Sequence, residues 1–278
     1  MNIHHLNCGC MCPFGGPLFD GTTLGLFANL VCHCWLIETD RDGLILVDTG
    51  FGSADVENPS RIASFFRHFN NIKFKHSLTA VSQVKQLGFA PSDVRHIVLT
   101  HLDFDHAGGL SDFPDAMVHV MQTEYTAAKI LDGWRATRRY REMQWQRSRH
   151  WRFYEPDGEQ WKGFSSVTPV QGLDQEILMV PLPGHTSGHA GIAVCSQGHW
   201  KLHAGDAYFH HGEIHRPRRH CPPGLRFYQR MMDQDHAARV STQNRLRALA
   251  LTELDDMQII CSHDAAELRH VQSNSPRQ

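Results

Sequence analysis

No stretch of the 278-residue sequence approaches the roughly 18 consecutive apolar residues that cross a bilayer, so a membrane-spanning helix is not expected. The start, Met1-Asn2-Ile3-His4-His5, lacks the basic leader and continuous apolar segment of a secretory signal, and a cytoplasmic location is the expectation. Charge of one sign is also lacking. Lysine and arginine number 27 against 29 acidic residues, and a net charge of -2 gives no overall attraction to nucleic acid or to an anionic membrane. There is no Gly-x-Ser-x-Gly elbow to present a serine nucleophile. No linker is long enough to separate two folding units, so residues 1–278 are expected to form one domain, with 271–278 as a frayed polar tail.

Eight cysteines are present, but not in the spacing of a zinc knuckle. Cys8, Cys10 and Cys12 alternate, as do Cys32 and Cys34, which suits one face of extended segments. Reduced thiols are the expectation, and a structural zinc shared by the two clusters is the alternative. Histidine occurs 21 times, so only histidines in a pattern carry weight.

The pattern begins with strands. Residues 31–38 and 44–47 are apolar runs separated by the turn signal Asp42-Gly43, and the second enters Asp48-Thr49-Gly50-Phe51-Gly52. Residues 78–87 have helical periodicity and stop at Gly88. Ile97-Val98-Leu99 is a fully apolar strand. Residues 117–121 read as a strand and 123–131 as a helix, followed by strands at 176–182, 192–195, 200–203 and 257–261 and a helix at 239–251. Strands in both halves, each ending in a polar loop, predict an α/β protein of two stacked mixed sheets flanked by helices.

His101, Asp103, Asp105 and His106 fall within six residues directly after the Ile97-Val98-Leu99 strand. At a strand end, 101 and 103 project to one side, and the turn through Ala107-Gly108-Gly109 swings 105 and 106 to a neighbouring point. Two metals about 3.5–4 Å apart need such a split set of ligands. Three further candidates sit at strand-to-loop junctions: His185 in Pro183-Gly184-His185-Thr186-Ser187-Gly188-His189, Asp206 in His203-Ala204-Gly205-Asp206, and His263 in Ser262-His263-Asp264. Each alone is weak evidence. Together, in this order, they predict a two-metal centre.

On these motifs the chain resembles the metallo-β-lactamase superfamily, and within it the N-acyl homoserine lactonases. The resemblance implies the αββα sandwich of that superfamily. It also implies one metal on His101, residue 103 and His185, a second on Asp105, His106 and His263, and Asp206 bridging both. Asp48 resembles a residue that supports the motif loop. The implied ions are divalent, zinc in the first instance. The chain departs from the lactonases at two points. Asp103 stands where they have histidine, and a harder, anionic ligand favours iron or manganese. Their tyrosine three residues after the bridging aspartate is here Phe209, with Tyr208 one place earlier. Tyr208 therefore joins Asp105 and Asp206 as a catalytic candidate on condition that the register allows it.

Two cations sharing a water lower its pKa towards ~7 and yield a bridging hydroxide as nucleophile, so hydrolysis of a carboxylic ester, foremost a lactone, is the expected activity. Met11, Phe14, Leu18, Phe19, Leu24 and Phe27, with Phe104, either line an acyl groove or form ordinary core and rim. The alternatives are a phosphodiesterase or nuclease, a thioesterase, a β-lactamase, and a non-catalytic metal-binding sensor. Only 15 residues follow His263, which disfavours a thioesterase of the glyoxalase type with its extra helical domain. Residues 134–152 hold seven arginines, one glutamate and four large aromatics, Trp134, Tyr140, Trp145 and Trp151. They read as an exposed helical insertion with its aromatics turned inward, serving as lid or subunit contact, or else as a substrate-contacting surface. Expected partners are a small ester or lactone and, through this segment, a second copy of the chain.

Overall fold

Strands with no polar residue bury both faces, and the alternation of side chains then sorts them into two different cores. In the computed structural model, which describes residues 1–174, 176–196, 198–252 and 257–274, this sorting builds four layers. The first sheet runs in the order β1 (Asn2–Met11), β2 (Leu30–Glu38), β3 (Leu44–Val47), β4 (Val94–Val98), β5 (Met117–Met121) and β6 (His150–Tyr154). Strands β7 (Gly158–Trp161) and β8 (Phe164–Ser166) form a separate hairpin. The second sheet contains β9 (Thr168–Pro169), β10 (Ile177–Pro181), β11 (Ala190–Ser196), β12 (His199–His203) and β13 (Met257–Ile260), with β13 and β9 at its edges.

In β2, Trp35 and Ile37 face the second sheet, where they meet Met179, Ile192 and Val194. Cys34 and Leu36 point the other way, towards Val81 and Val84 of the helix Ala80–Gln86. On the outer face of the second sheet, Val180, Leu202 and Ile259 pack on Leu246 and Leu249 of the helix His236–Thr252. Burying one such aliphatic side chain stabilises by about 1.5–3 kcal/mol, so both outer helix layers are held by apolar area. The arrangement is an αββα sandwich, as the resemblance implies.

Direction places the site. β3, β4 and β5 are parallel, as are β12 and β13, and β10 runs with β12 because β11 is antiparallel to both. The C-terminal ends of β3, β4, β10, β12 and β13 therefore open at one rim. β2 is antiparallel to β3, so its beginning reaches the same rim, where the His33 amide donates to the Ser262 carbonyl at 2.9 Å. The rim turns are tight. Gly50 (φ 62°) lies so close to the Cys8 carbonyl that a Cβ would fall 2.2 Å from its oxygen.

Three expectations change. β1 was signalled only by the alternation of its cysteines, because Asn2–Met11 mixes histidine, asparagine and glycine with its apolar residues. It pairs with β2 all the same, carrying Cys8 and Cys10. Cys8 and Cys34 share one apolar layer while Cys32 lies in another, and among the described residues no group at metal-binding spacing holds more than one cysteine. Residues 134–152 are not a purely helical insertion. They comprise all but the first residue of the helix Gly133–Arg139, the helix Glu142–Trp145 and the start of β6, with Tyr140 and Trp145 buried. Of the tail, Val271 is buried in the helix Ala265–Asn274, and 275–278 lie outside the described residues.

Candidate active site

The loop after β4 carries His101 to His106, and its backbone is fastened before any side chain is considered. Asp48, the residue after β3, has a left-handed φ of 56° and turns its carboxylate under the loop. Its Oδ1 accepts from the Thr100 amide and its Oδ2 from the Thr100 hydroxyl, both at 2.8 Å. The same Oδ2 lies 2.8 Å from Nδ1 of His106. Nδ1 of His101 lies 3.0 Å from the Thr100 hydroxyl oxygen, and Nδ1 of His263 lies 2.7 Å from the Val31 carbonyl. Each of these contacts engages the rear nitrogen of a ring and leaves Nε2 facing the centre.

The centre is organised around Asp206. Its Oδ1 is 3.3 Å from His106 Nε2 and 3.1 Å from His263 Nε2, which also lies 3.2 Å from Oδ2. Its Oδ2 is 3.3 Å from His185 Nε2 and 3.9 Å from His101 Nε2. Asp105 approaches from one side, with Oδ2 3.6 Å from His263 Nε2 and 4.0 Å from His106 Nε2. Asp103 approaches from the other, with Oδ2 3.1 Å from His185 Nε2 and 3.4 Å from His101 Nε2. All seven predicted ligands thus meet at one buried point, from loops of both sheets. Two overlapping groups with metal-binding spacing result, His101 with His185 and Asp206, and His106 with Asp206 and His263.

Burial works against the charge of Asp206, yet the imidazoles of His263, His106 and His185 hold its carboxyl well below the usual range. For Asp103, burial is likewise opposed, here chiefly by the Arg139 guanidinium and by His101, and its carboxyl is also held low. Asp105 behaves differently, because burial pushes its carboxyl up. Desolvation and the neighbouring His106 lower His101 to about 4.

The profile of the Metallo-beta-lactamase superfamily matches residues 28–263. The chain belongs to that superfamily. It is a metallo-hydrolase. A probable metallo-hydrolase of Mycobacterium tuberculosis is 41% identical over 264 residues, covering 95% of this chain and 80% of that protein. An N-acyl homoserine lactonase of Bacillus thuringiensis is 37% identical over 107 residues, 38% of this chain and 42% of that protein. Among solved structures, an N-acyl homoserine lactone hydrolase with the product N-hexanoyl-L-homoserine at its catalytic metal center matches with a TM-score of 0.68. It is 25% identical and covers 99% of this chain and 96% of that one. Similarity to the lactonase branch of the superfamily therefore extends over sequence and fold.

Against the superfamily pattern, one candidate is corrected. Tyr208 is fully buried, and its hydroxyl donates to Glu267 at 3.0 Å, in the core beneath the helix His236–Thr252. The ring turned to the centre is Phe209, with its centroid 4.8 Å from that of His263 and 5.8 Å from that of His185. Residues 205–210 are turn and bend, not strand, so the fold of this loop turns Tyr208 away and Phe209 inward. Tyr208 leaves the catalytic set.

Four residues that sequence reasoning did not place at the centre border it. His189 donates or accepts at both nitrogens: Nδ1 meets the Leu182 carbonyl at 3.0 Å, and Nε2 accepts the Asp206 amide at 2.9 Å. It thereby fixes the backbone of the bridging candidate, and its place in the Gly-His-Thr-Ser-Gly-His run was the available signal. Cys32, at the start of β2, groups with Asp105 and His263 at metal-binding spacing. Tyr228, from the helix Pro223–Met232, has its ring 6.1 Å from Phe209, and its hydroxyl accepts from Asn70 Nδ2 at 3.1 Å. Burial, then the charges of Asp105 and Asp206, keep this phenol protonated. The fourth is Arg139, whose Nε lies 2.9 Å from Asp103 Oδ1. Nothing local in the sequence separates it from the six other arginines of its segment.

Proposed function

We propose that this chain is a dinuclear metallo-hydrolase that opens carboxylic esters, lactones of the N-acyl homoserine kind foremost. The observation that carries the two-ion reading is the position of Asp206, whose Oδ1 lies beside His106, whose Oδ2 lies beside His185 and His101, and whose two oxygens both lie within reach of His263. A single carboxylate within reach of four imidazoles from loops of both sheets is what a shared ligand requires. The residues present fit metal ions. Nε2 of His101 and of His106 and Oδ1 of Asp206 are buried without a hydrogen-bond partner among the described residues, a costly state that bound cations relieve.

In this reading the first ion is held by His101, Asp103 and His185, the second by Asp105, His106 and His263, and Asp206 is common to both. Divalent ions there supply Lewis acidity and a water activated near neutral pH. Zinc suits the imidazoles, while the two hard carboxylates beside them also suit iron or manganese. Asp48, Thr100 and the Val31 carbonyl orient the rings from behind. Asp105, whose Oδ2 lies 3.6 Å from His263 Nε2, belongs to the catalytic set as a carboxylate that would hold the second ion. Since loops of both sheets contribute, residues 1–278 act as one functional unit.

The lactone reading draws support from an unbroken line of aromatic rings. From His263 it passes to Phe209 at 4.8 Å, Tyr228 at 6.1 Å, the stacked Phe69 at 5.7 Å, Phe65 at 5.6 Å and Trp134 at 6.1 Å. Phe65 is 39% and Trp134 50% exposed, so the line begins at the surface and ends at the cluster. Such a track suits an acyl chain. Phe14, Leu18, Leu24 and Phe27 are more than half exposed and border this side as rim, whereas Met11 and Phe104 are core. A homodimer that covers the exposed rim belongs to the same reading.

The arginines of residues 134–152 give less support to a phosphodiester substrate. Arg141 Nε donates to the Arg61 carbonyl at 2.6 Å and Arg138 Nη1 to the Trp134 carbonyl at 3.0 Å. Among the described residues no helix is long and apolar enough to cross a membrane. The test is a panel of lactones, thioesters, phosphodiesters and β-lactams assayed with chelated and with zinc- or manganese-reloaded protein. Metal-dependent opening of acyl lactones is expected. Activity that survives complete chelation, or that is confined to phosphodiesters, overturns the reading.

A further inference from the structure

The substitution of aspartate for histidine at 103 is matched by a second event far along the chain. The guanidinium of Arg139, on the last residue of the helix Gly133–Arg139, is almost fully buried and makes three contacts. Nε pairs with Asp103 Oδ1 at 2.9 Å, Nη1 donates to the His185 carbonyl at 3.0 Å, and Nη2 lies 3.0 Å from His185 Nε2. That last nitrogen is the one turned to Asp103 Oδ2 and Asp206 Oδ2, where the first ion belongs.

We propose that Arg139 gates the first metal position, competing with the cation for His185 Nε2 and for the charge of Asp103. This inference rests on the two-ion reading above. A neutral imidazole has one lone pair, and an arginine N–H and a metal cannot both take it. Arginine stays charged under all working conditions, so it cannot yield by losing a proton and must move instead. Space exists for the movement. An outer cleft of about 410 Å³ is lined by Trp134, Arg135, Ala136, Arg139 and Gln234.

The second position has no such competitor. Asp105 and Asp206 face only imidazoles at ion-pair distance among the described residues. The centre therefore fills in order, the Asp105, His106 and His263 side first and tightly, the His101, Asp103 and His185 side second and reversibly. Asp103 supplies the anion that anchors the gate as well as a metal ligand, which gives the departure at 103 a physical purpose.

The test is the stoichiometry and affinity of ion uptake, read without any turnover. Protein stripped with chelator is titrated with zinc or manganese by calorimetry, with elemental analysis after gel filtration. The wild type is expected to retain one ion and to bind the next about a hundredfold more weakly, the order of one competing buried charge. Arg139→Gln is expected to tighten the second ion by about tenfold or more and leave the first unchanged, with Arg139→Lys intermediate because it keeps the charge but loses the planar fork. Where Arg139→Gln does not fold, Asp103→His, which releases the arginine and restores an imidazole, is expected to tighten the second ion as well. Two equally tight ions in the wild type, or variants in which the second ion is unchanged or weaker, overturn the gate while leaving the two-ion reading intact. Protein that takes up no ion overturns both.

Discussion

Asp48 holds His106 from behind: the carboxylate Oδ2 sits 2.8 Å from Nδ1, so the free Nε2 points at Asp206. The same carboxylate fastens the amide and hydroxyl of Thr100, and so sets the loop as well as the ring. Asp48→Asn keeps the shape but weakens both effects. The expected outcome is a loss of about 10–100-fold in affinity for the more tightly held ion, measured by competition with a chelating dye. Unchanged affinity would show that His106 needs no partner.

The two tyrosines beside Phe209 differ in what they touch. Tyr208→Phe removes the hydroxyl that Glu267 accepts in the core and is expected to cost about 1–3 kcal/mol of stability, with ester hydrolysis little changed. Tyr228→Phe, which removes from a ring of the aromatic track the hydroxyl that Asn70 donates to, is expected to raise KM for acyl lactones about threefold with a smaller change in melting temperature. Denaturant unfolding and steady-state kinetics on both variants distinguish these outcomes, and a reversed pattern would return Tyr208 to the site.

The aromatic line predicts dependence on acyl length. Trp134→Ala removes its outermost ring and is expected to raise KM about tenfold for long-chain acyl lactones, the equivalent of roughly two buried methylenes, and to leave short ones unaffected. Equal effects on all chain lengths would place the acyl group elsewhere.

Acid should loosen the fold before it touches surface charges. Burial lowers His5 and His119 to about 3, so both are neutral in the folded chain and titrate near 6.5 once it unfolds. Below pH ~6.5 the unfolded chain binds the extra protons, and their contribution, complete above that pH, is lost progressively as pH falls towards 3. Melting temperature is expected to drop steadily between pH 7 and 5. His119→Gln, whose amide oxygen can still accept the Tyr154 hydroxyl, is expected to flatten that slope. A wild-type profile flat across this range would contradict the assignment.

What was readable in the sequence depended on whether the signal was local. The helix of 239–251 announced itself by period and the core strands by their apolar runs, and the structure holds them as His236–Thr252 and as β2, β3, β4 and β10 to β13. The seven site candidates were readable because strand ends and glycine turns marked each one. β1 was readable only in the alternation of its cysteines, because its pairing with β2, rather than its own composition, makes it a strand.

The residue types at 101 to 106, the aspartate in place of histidine at 103 and the shift of tyrosine to 208 were decided by sequence alone, since covalent order fixes them. Tertiary structure alone decided which nitrogen of each ring faces inward and which way Tyr208 turns. It alone brought Arg139 to Asp103, 36 residues away in the chain. The physical reason is that a charge–charge contact acts through space and leaves no periodic trace along the polypeptide.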